Sequence, residues 1–374
     1  MELTSRGRPA FTATVNPLII QLSCIDPIEL EAVMDHWSFR VDKLLPGAFR
    51  GAAAVLRLNP LLVAEIHTST TAAHRLRCPP HSRTLLIRGR GTGTTFIGGL
   101  SLQHPDFVLL DPGTAIDVVC QGGGSVICIS LSGPANASLA SSAGQPLPAS
   151  TAGARLLSWP GVALNELPGW IDKAVLALVS KSTPEQEAVT GAILARELHM
   201  QLTVALANAV PTDAKRLRAT RRRVAVERAR KFIRNNLSES MRLADLCRHA
   251  HVQERSLEYG FREVVGLRPM GYIRMLRLAE VHRQLLADSV APRSISEVAL
   301  DTGFCHLGQF AYDYKNLFME SPSDTLRRAD FLRRAHDRSA PRAAGRTAAT
   351  QPPPGLCVDP PLTAAGRDLR KYLL

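Results

Sequence analysis

Hydrophobic positions keep two different periods along this chain. Between Phe49 and Ser132, short runs rich in valine, isoleucine and leucine recur, among them Ala53–Leu58, Thr84–Ile87, Phe107–Leu110, Ile116–Val119 and Ser125–Leu131. Glycine and proline separate them at Gly89, Gly91, Gly93, Gly98–Gly99, Pro112–Gly113 and Gly122–Gly124. Short strands at such spacing predict a small antiparallel barrel or sandwich. Residues 133–155, dominated by alanine, serine, glycine and proline, read as a loop. From about Trp170 the period becomes helical. Thr183 and Gln186 stand at capping-box spacing around Pro184, which suits the first helical position. The helix that follows carries Leu194, Leu198, Leu202 and Leu206 at steps of four, flanked by Ile193, Met200 and Val204. Such a face packs on the β domain of its own chain, lends part of itself to a dimer interface, or does both.

Residues 211–224 read as a basic linker ending in KRLRATRRR, and from Ala225 to about Leu332 the pattern is one of successive short helices. Two stretches there share one layout. In Arg242–Gly266, Leu243, Leu246 and Cys247 point inward from a first helix, and Leu257 and Phe261 from a second after a turn at His249–Val252. In Ser294–Phe318, Ile295, Val298 and Ala299 precede a turn at Thr302–Phe304, and Phe310 and Tyr314 follow it. Ser294 and Glu297 form a capping box. Two helix-turn-helix units, at 243–264 and 295–317, are the economical reading. Met270–Ala287 between them is free of internal proline and predicts a helix of roughly 27 Å at 1.5 Å per residue. That length holds two recognition helices near one DNA turn apart, roughly 34 Å. Residues 333–374 shift to alanine, proline and arginine and are expected to form a disordered tail.

Charge sharpens the picture. The 374 residues, enough for two domains, carry a net +12, yet residues 1–210 are neutral, with 15 basic and 15 acidic side chains. Residues 211–335 hold 24 basic against 15 acidic, so most of the excess lies on the helical half. A polyanionic partner is implied there, nucleic acid first. No apolar run approaches the roughly 18 residues of a membrane span, and no secretory signal opens the chain, so a cytoplasmic protein without a membrane partner is expected. The seven cysteines form no CxxC pair, which argues for reduced thiols over disulfides or zinc.

The helical half resembles the AraC/XylS family of bacterial transcription regulators over Val226–Asp330. The motifs are Leu243, Leu257, Phe261, Gly266, Pro269, Tyr272 and Arg277–Leu278 in the first unit. In the second they are Ile295, Ala299, Gly303–Phe304, Phe310, Lys315, Phe318 and Pro322. The stretch GFCHLGQFAYDYKNLFMESPSDTL is similar to the subgroup that includes the ethanolamine-operon regulator. Departures are Gln253 where a serine usually caps the helix, Gly308 where serine is common, Met319 where glycine usually ends the helix, and Gly260 inside the first recognition helix.

The resemblance implies an α+β two-domain chain. A cupin-like antiparallel β barrel or sandwich with helices, 1–210, would bind an effector or dimerise, and an all-α tandem helix-turn-helix domain, 225–332, would bind double-stranded DNA. With Leu257 and Phe261 inward, the outward residues are Gln253, Glu254, Arg255, Glu258, Tyr259 and Arg262; the family places Arg255 and Tyr259 at base-reading positions. The second helix offers His306, Leu307, Gly308, Gln309, Tyr312 and Asp313, with Lys315 on phosphate. A small-molecule effector, a homodimer and contact with RNA polymerase are expected partners, with no cofactor and no metal.

Enzymatic readings find little support. RGRGTGTTFIGG (Arg88–Gly99) lacks the dinucleotide-binding register and precedes strand-like sequence. His67, His74, His81 and His104 lack a tight HxH pair and are expected at the surface. A DNA-repair alkyltransferase fused to this DNA-binding domain would need Cys78 as acceptor, but Cys78–Pro79–Pro80–His81 lacks the Pro-Cys-His-Arg order of that family.

Overall fold

A computed structural model describes residues 12–15, 17–34, 37–133, 145–146, 153–159, 166–211, 221–287 and 294–339. The strands of the N-terminal half are β1 (Thr12–Val15), β2 (Ile19–Cys24), β3 (Ser38–Lys43), β4 (Gly51–Leu58), β5 (Leu61–Thr68), β6 (Ala72–Arg77), β7 (Ser82–Arg88) and β8 (Thr94–Ile97). They continue with β9 (Leu100–Leu102), β10 (Asp106–Leu110), β11 (Ala115–Gln121), β12 (Gly124–Ser132), β13 (Gln145–Pro146), β14 (Ala154–Ser158) and β15 (Val210–Pro211). One sheet runs β1-β2-β4-β5-β12-β7-β10-β14-β13 with β15 also on β14, and the other runs β3-β6-β11-β8-β9. Among the described residues neither closes on itself, which gives a sandwich rather than a closed barrel.

Strand alternation sorts the side chains. In β11, Ile116, Val118 and Cys120 point between the sheets, while Asp117, Val119 and Gln121 take the opposite face; in β3, Phe39 and Val41 point in and Arg40 and Asp42 out. The interior is filled by apolar side chains around a short polar chain. The Trp37 Nε1–H donates to Ser130 Oγ at 3.0 Å, Ser130 bonds Thr84 at 2.5 Å, and Cys78 Sγ lies 3.0 Å from Thr84 Oγ1. His74, expected at the surface, is instead buried here beside Phe39, because its strand register places it on the face of Ala72 and Leu76. Burial pushes its pKa down to about 4, against a smaller opposing pull from Asp42.

Helix α1 (Pro27–Val33) is capped by Asp26, which accepts from the Ile28 N–H at 3.1 Å. Helices α2 (Leu167–Val179) and α3 (Pro184–Ala207) cover the outer face of the larger sheet. Leu198, Leu202 and Leu206 of α3 are buried on it, whereas Val189, Ile193, Met200 and Val204 are about 60% exposed along a second stripe. The apolar surface of α3 is therefore two faces, only one of them covered by the described residues.

The C-terminal half comprises α4 (Arg221–Asn235), α5 (Leu243–Ala250), α6 (Glu254–Val265), α7 (Pro269–Leu286), α8 (Ile295–Asp301), α9 (Leu307–Phe318) and α10 (Pro322–Ser339). The capping box at Ser294 is present, with Glu297 N–H donating to Ser294 Oγ at 3.2 Å and Ser294 N–H to Glu297 Oε2 at 2.7 Å. Two expected boundaries shift. Pro211 pairs in β15 and Arg221–Val224 belong to α4, and the rest of the expected linker, 212–220, lies outside the described residues. The helix expected to end near 332 continues to Ser339, and the rest of the expected tail lies outside the described residues.

The two halves share a core. Leu44, Ala73, Phe96 and Val119 from the outer face of the smaller sheet pack with Val226, Leu257, Phe261 and Tyr272. Around this core the charges are complementary: carboxylates of the β domain meet bases of the helical domain. Arg283 bonds Glu31 Oε1 at 3.1 Å and also Asp42; Arg234 pairs with Asp117. His282 Nε2 and Arg328 lie 2.9 and 2.8 Å from Asp26 Oδ2, and His282 Nδ1 lies 2.6 Å from the Tyr314 hydroxyl. A half that is neutral in sum thus presents an acidic face where the basic half docks.

Candidate nucleic-acid interface

In α6, Leu257, Phe261, Val264 and Val265 are buried, which turns Gln253, Glu254, Arg255, Tyr259 and Arg262 outward as exposed residues and leaves Glu258 half-buried. In α9, Phe310, Tyr314 and Leu317 are buried, and His306, Leu307, Gly308, Gln309, Tyr312 and Lys315 are exposed. Asp313 is different. It is half-buried, 3.3 Å from Arg274 of α7 and accepting from Gln309 Nε2 at 2.9 Å, so it anchors α9 and orients Gln309. Gln253 takes the extended backbone of an N-cap without bonding the helix through its side chain, which leaves its amide free of that duty.

One guanidinium ties the two units together. Arg277 of α7 donates to the carbonyls of Leu237 at 2.9 Å, Glu239 at 2.6 Å and Gly303 at 2.8 Å. A Cβ at Gly303 would meet this guanidinium at 2.7 Å, and its φ of 95° also demands glycine. Met319 ends α9 in the left-handed region at φ 62°, a conformation that costs a side chain about 1–2 kcal/mol and explains why glycine is the usual residue there.

The β domain touches the opposite ends of both recognition helices. Gln121 Nε2 donates to the Arg262 carbonyl at 3.4 Å, and Lys43 donates to the Leu317 carbonyl. Each helix of 12 residues is about 18 Å long, so the ends that begin at Glu254 and Leu307 stand well away from these contacts. Neither contact had a signal in the sequence: Lys43 and Gln121 lie on strands far from the helices they hold.

Gly260, an unexpected residue for a helix interior, is explained by close approach. A Cβ there would lie 2.7 Å from Arg222 Cγ and Val226 Cγ2 and 3.2 Å from the Arg222 carbonyl, all of α4. Gly260→Ala is expected to destabilise: overpacking costs about 1–3 kcal/mol and outweighs the gain of about 1 kcal/mol in helix propensity. Denaturant unfolding checks it, and a raised midpoint would show that α4 yields without cost.

A cavity of about 200 Å³ opens at the edge of the sandwich, lined by Ile97, Leu100, Leu102, Val108 and Leu156 with Asp106 and Arg223. Arg223 belongs to α4 and also bonds Glu263 of α6 at 2.8 Å through its Nε, so the cavity wall reaches the first recognition helix. Cys78 is buried inside the sandwich, its thiol pushed up by burial. Cys24, Cys120 and Cys128 are likewise buried free thiols; Cys305 is exposed. Among the described residues no group of three His, Cys, Asp or Glu gathers as a metal site, and no helix is long and apolar enough to cross a membrane.

The family described as a helix-turn-helix domain matches residues 246–328. A XylDLEGF operon transcriptional activator of Pseudomonas putida is 36% identical over 171 residues, 44% of this chain and 50% of that one. XylDLEGF operon transcriptional activator 2 of the same organism is 45% identical over 100 residues, 27% of this chain and 64% of that one. The chain thus spans about half the length of the curated relatives first matched. A solved structure of a probable AraC family transcriptional regulator from Rhodopseudomonas palustris is 33% identical, covering 28% of this chain and 96% of that one with a TM-score of 0.27.

Proposed function

We infer, from a C-terminal helix-turn-helix domain of the AraC/XylS type, that this chain is a cytoplasmic transcription regulator that binds specific sites on duplex DNA. One arrangement carries the reading. The β domain holds the C-terminal ends of α6 and α9, while Gln253, Glu254, Arg255 and Tyr259 of the first unit and His306, Leu307, Gly308, Gln309 and Tyr312 of the second remain exposed. Arg255 suits guanine O6/N7, Gln253 and Gln309 suit adenine, and Lys315 suits a phosphate. The similarity of residues 303–326 to the subgroup of the ethanolamine-operon regulator belongs to this reading.

The cavity beside Arg223 supports a small-molecule effector, because a ligand there would bear on the Arg223–Glu263 bond and through it on α6. Such a ligand switches the protein only if it binds two arrangements unequally. The exposed stripe Val189, Ile193, Met200 and Val204 on α3 supports a homodimer, and RNA polymerase is the further partner of a regulator of this kind. The filled interior of the sandwich favours a second reading, in which the N-terminal domain only dimerises.

Fluorescence anisotropy on the protein's own site tests the assignment. Arg255→Ala is expected to weaken specific binding by about 1–3 kcal/mol and relax preference at one base position, while Lys315→Ala lowers the salt slope by about 1 without changing preference. A uniform loss over all sequences for Arg255→Ala would move Arg255 to the phosphates.

A further inference from the structure

The geometry points to Arg222 as an additional DNA contact, holding a backbone phosphate beside the base pair that α6 reads; the inference rests on the regulator reading above. Arg222 lies in the first turn of α4, in the segment that the sequence marks as linker and outside the matched residues 246–328. The stem of its side chain crosses α6 at Gly260, where a Cβ would come within 2.7 Å of Arg222 Cγ. Beyond the glycine, its guanidinium carbon sits 5.7 Å from the centroid of the Tyr259 ring. The Arg255 guanidinium sits at the same 5.7 Å from the same ring.

Two cations therefore share one aromatic side chain that is itself 45% exposed. The ring quadrupole attracts each of them, by about 0.5–1 kcal/mol at an exposed site, but they repel one another. Among the described residues neither has a carboxylate partner. The neighbouring Arg223 shows the contrast: it turns to the other side, bonds Glu263 and lies 5.5 Å from the Phe96 ring of the β domain. Adjacent arginines thus diverge, one into the seam between the domains and one onto the face of the recognition helix. An anion beside Arg222 relieves the repulsion, and on that face of a DNA-reading helix the anion is a phosphate, which the guanidinium fork matches in two bonds. Tyr259 is the positioning residue, a platform that holds Arg222 toward the backbone and Arg255 toward the groove. Gly260 is what lets the Arg222 stem through.

The test uses the full chain and two labelled duplexes of equal length, one carrying a site recovered by footprinting and one with that site scrambled. Arg222→Gln keeps the stem over Gly260 and removes the charge, and Arg222→Lys keeps the charge. Arg222→Gln is expected to reduce the slope of log affinity against log salt by about 0.9 on both duplexes and leave the ratio between them unchanged; Arg222→Lys is expected to retain the slope. An unchanged slope in Arg222→Gln, with the wild type binding its site, overturns the Arg222 assignment alone. A reduced ratio with an unchanged slope overturns it in favour of base reading. A wild type that does not distinguish the two duplexes overturns the regulator reading and this inference with it.

Discussion

Arg283→Ala is expected to cost about 3–5 kcal/mol of stability and to split one cooperative unfolding transition into two. Arg283 is fixed between Glu31, Asp42, the Val41 carbonyl and Glu280, with its side chain 13% exposed. Its removal leaves Glu31 and Asp42 buried on the β domain without their main partner, and an unpaired buried charge costs more than the pair was worth. The acid limb carries the same information. Burial alone would raise the Asp42 carboxyl, but Arg283 and Arg234 outweigh it and hold it below its ordinary value. Because its folded pKa is depressed, the stability that Asp42 lends is present above its unfolded value of 3.8 and is lost as pH falls through the folded pKa. Arg283→Ala is expected to flatten that acid loss. Differential scanning calorimetry from about pH 1 to 7 measures both effects, and a variant as stable and as cooperative as the wild type would show that the seam is not held by these charges.

Phe261→Ala is the second large effect, about 3–5 kcal/mol by transfer and cavity formation. Phe261 is fully buried with its ring 5.6 Å from that of Tyr272, at the meeting of α4, α6 and α7. Behind Tyr272 lies Arg230, wholly buried, bonded to Glu227 at 2.6 Å and to the Tyr272 hydroxyl at 3.3 Å. A void beside Tyr272 loosens the packing that keeps this ion pair aligned, so the loss is placed at the upper end of the range. Duplex binding is expected to fall with it, since α6 loses the residue that fixes its inward face. Phe261→Leu fills more of the site and is expected to cost less. Chemical denaturation of the three proteins decides it, and equal midpoints would show that the first unit does not depend on this core.

Much of the architecture was legible because periodicity is local. The strands and the paired helices announce their buried faces within a few residues, and Ser294–Glu297 caps its helix as spacing alone requires. What escaped the sequence depends on long-range placement. The alternation that buries His74 cannot be told from one that exposes it until β6 lies between β3 and β11. The four seam carboxylates, Asp26, Glu31, Asp42 and Asp117, vanish into a zero net charge over residues 1–210. Gly260 stood out as a departure, but its cause, the crossing of Arg222, lies 38 positions away. Among the candidate contacts, Asp313 has an outward phase on α9, and its pairing with Arg274 at 3.3 Å has no local signal in the sequence.

We propose that the two helix-turn-helix units on this one chain read a bipartite duplex site. Footprinting of the full chain across genomic DNA tests it most directly. Discrete sites are expected, each with two protected major-groove segments about one helical turn, roughly 34 Å, apart on one face of the duplex. Uniform protection without discrete sites, or sites with a single protected segment, would contradict it.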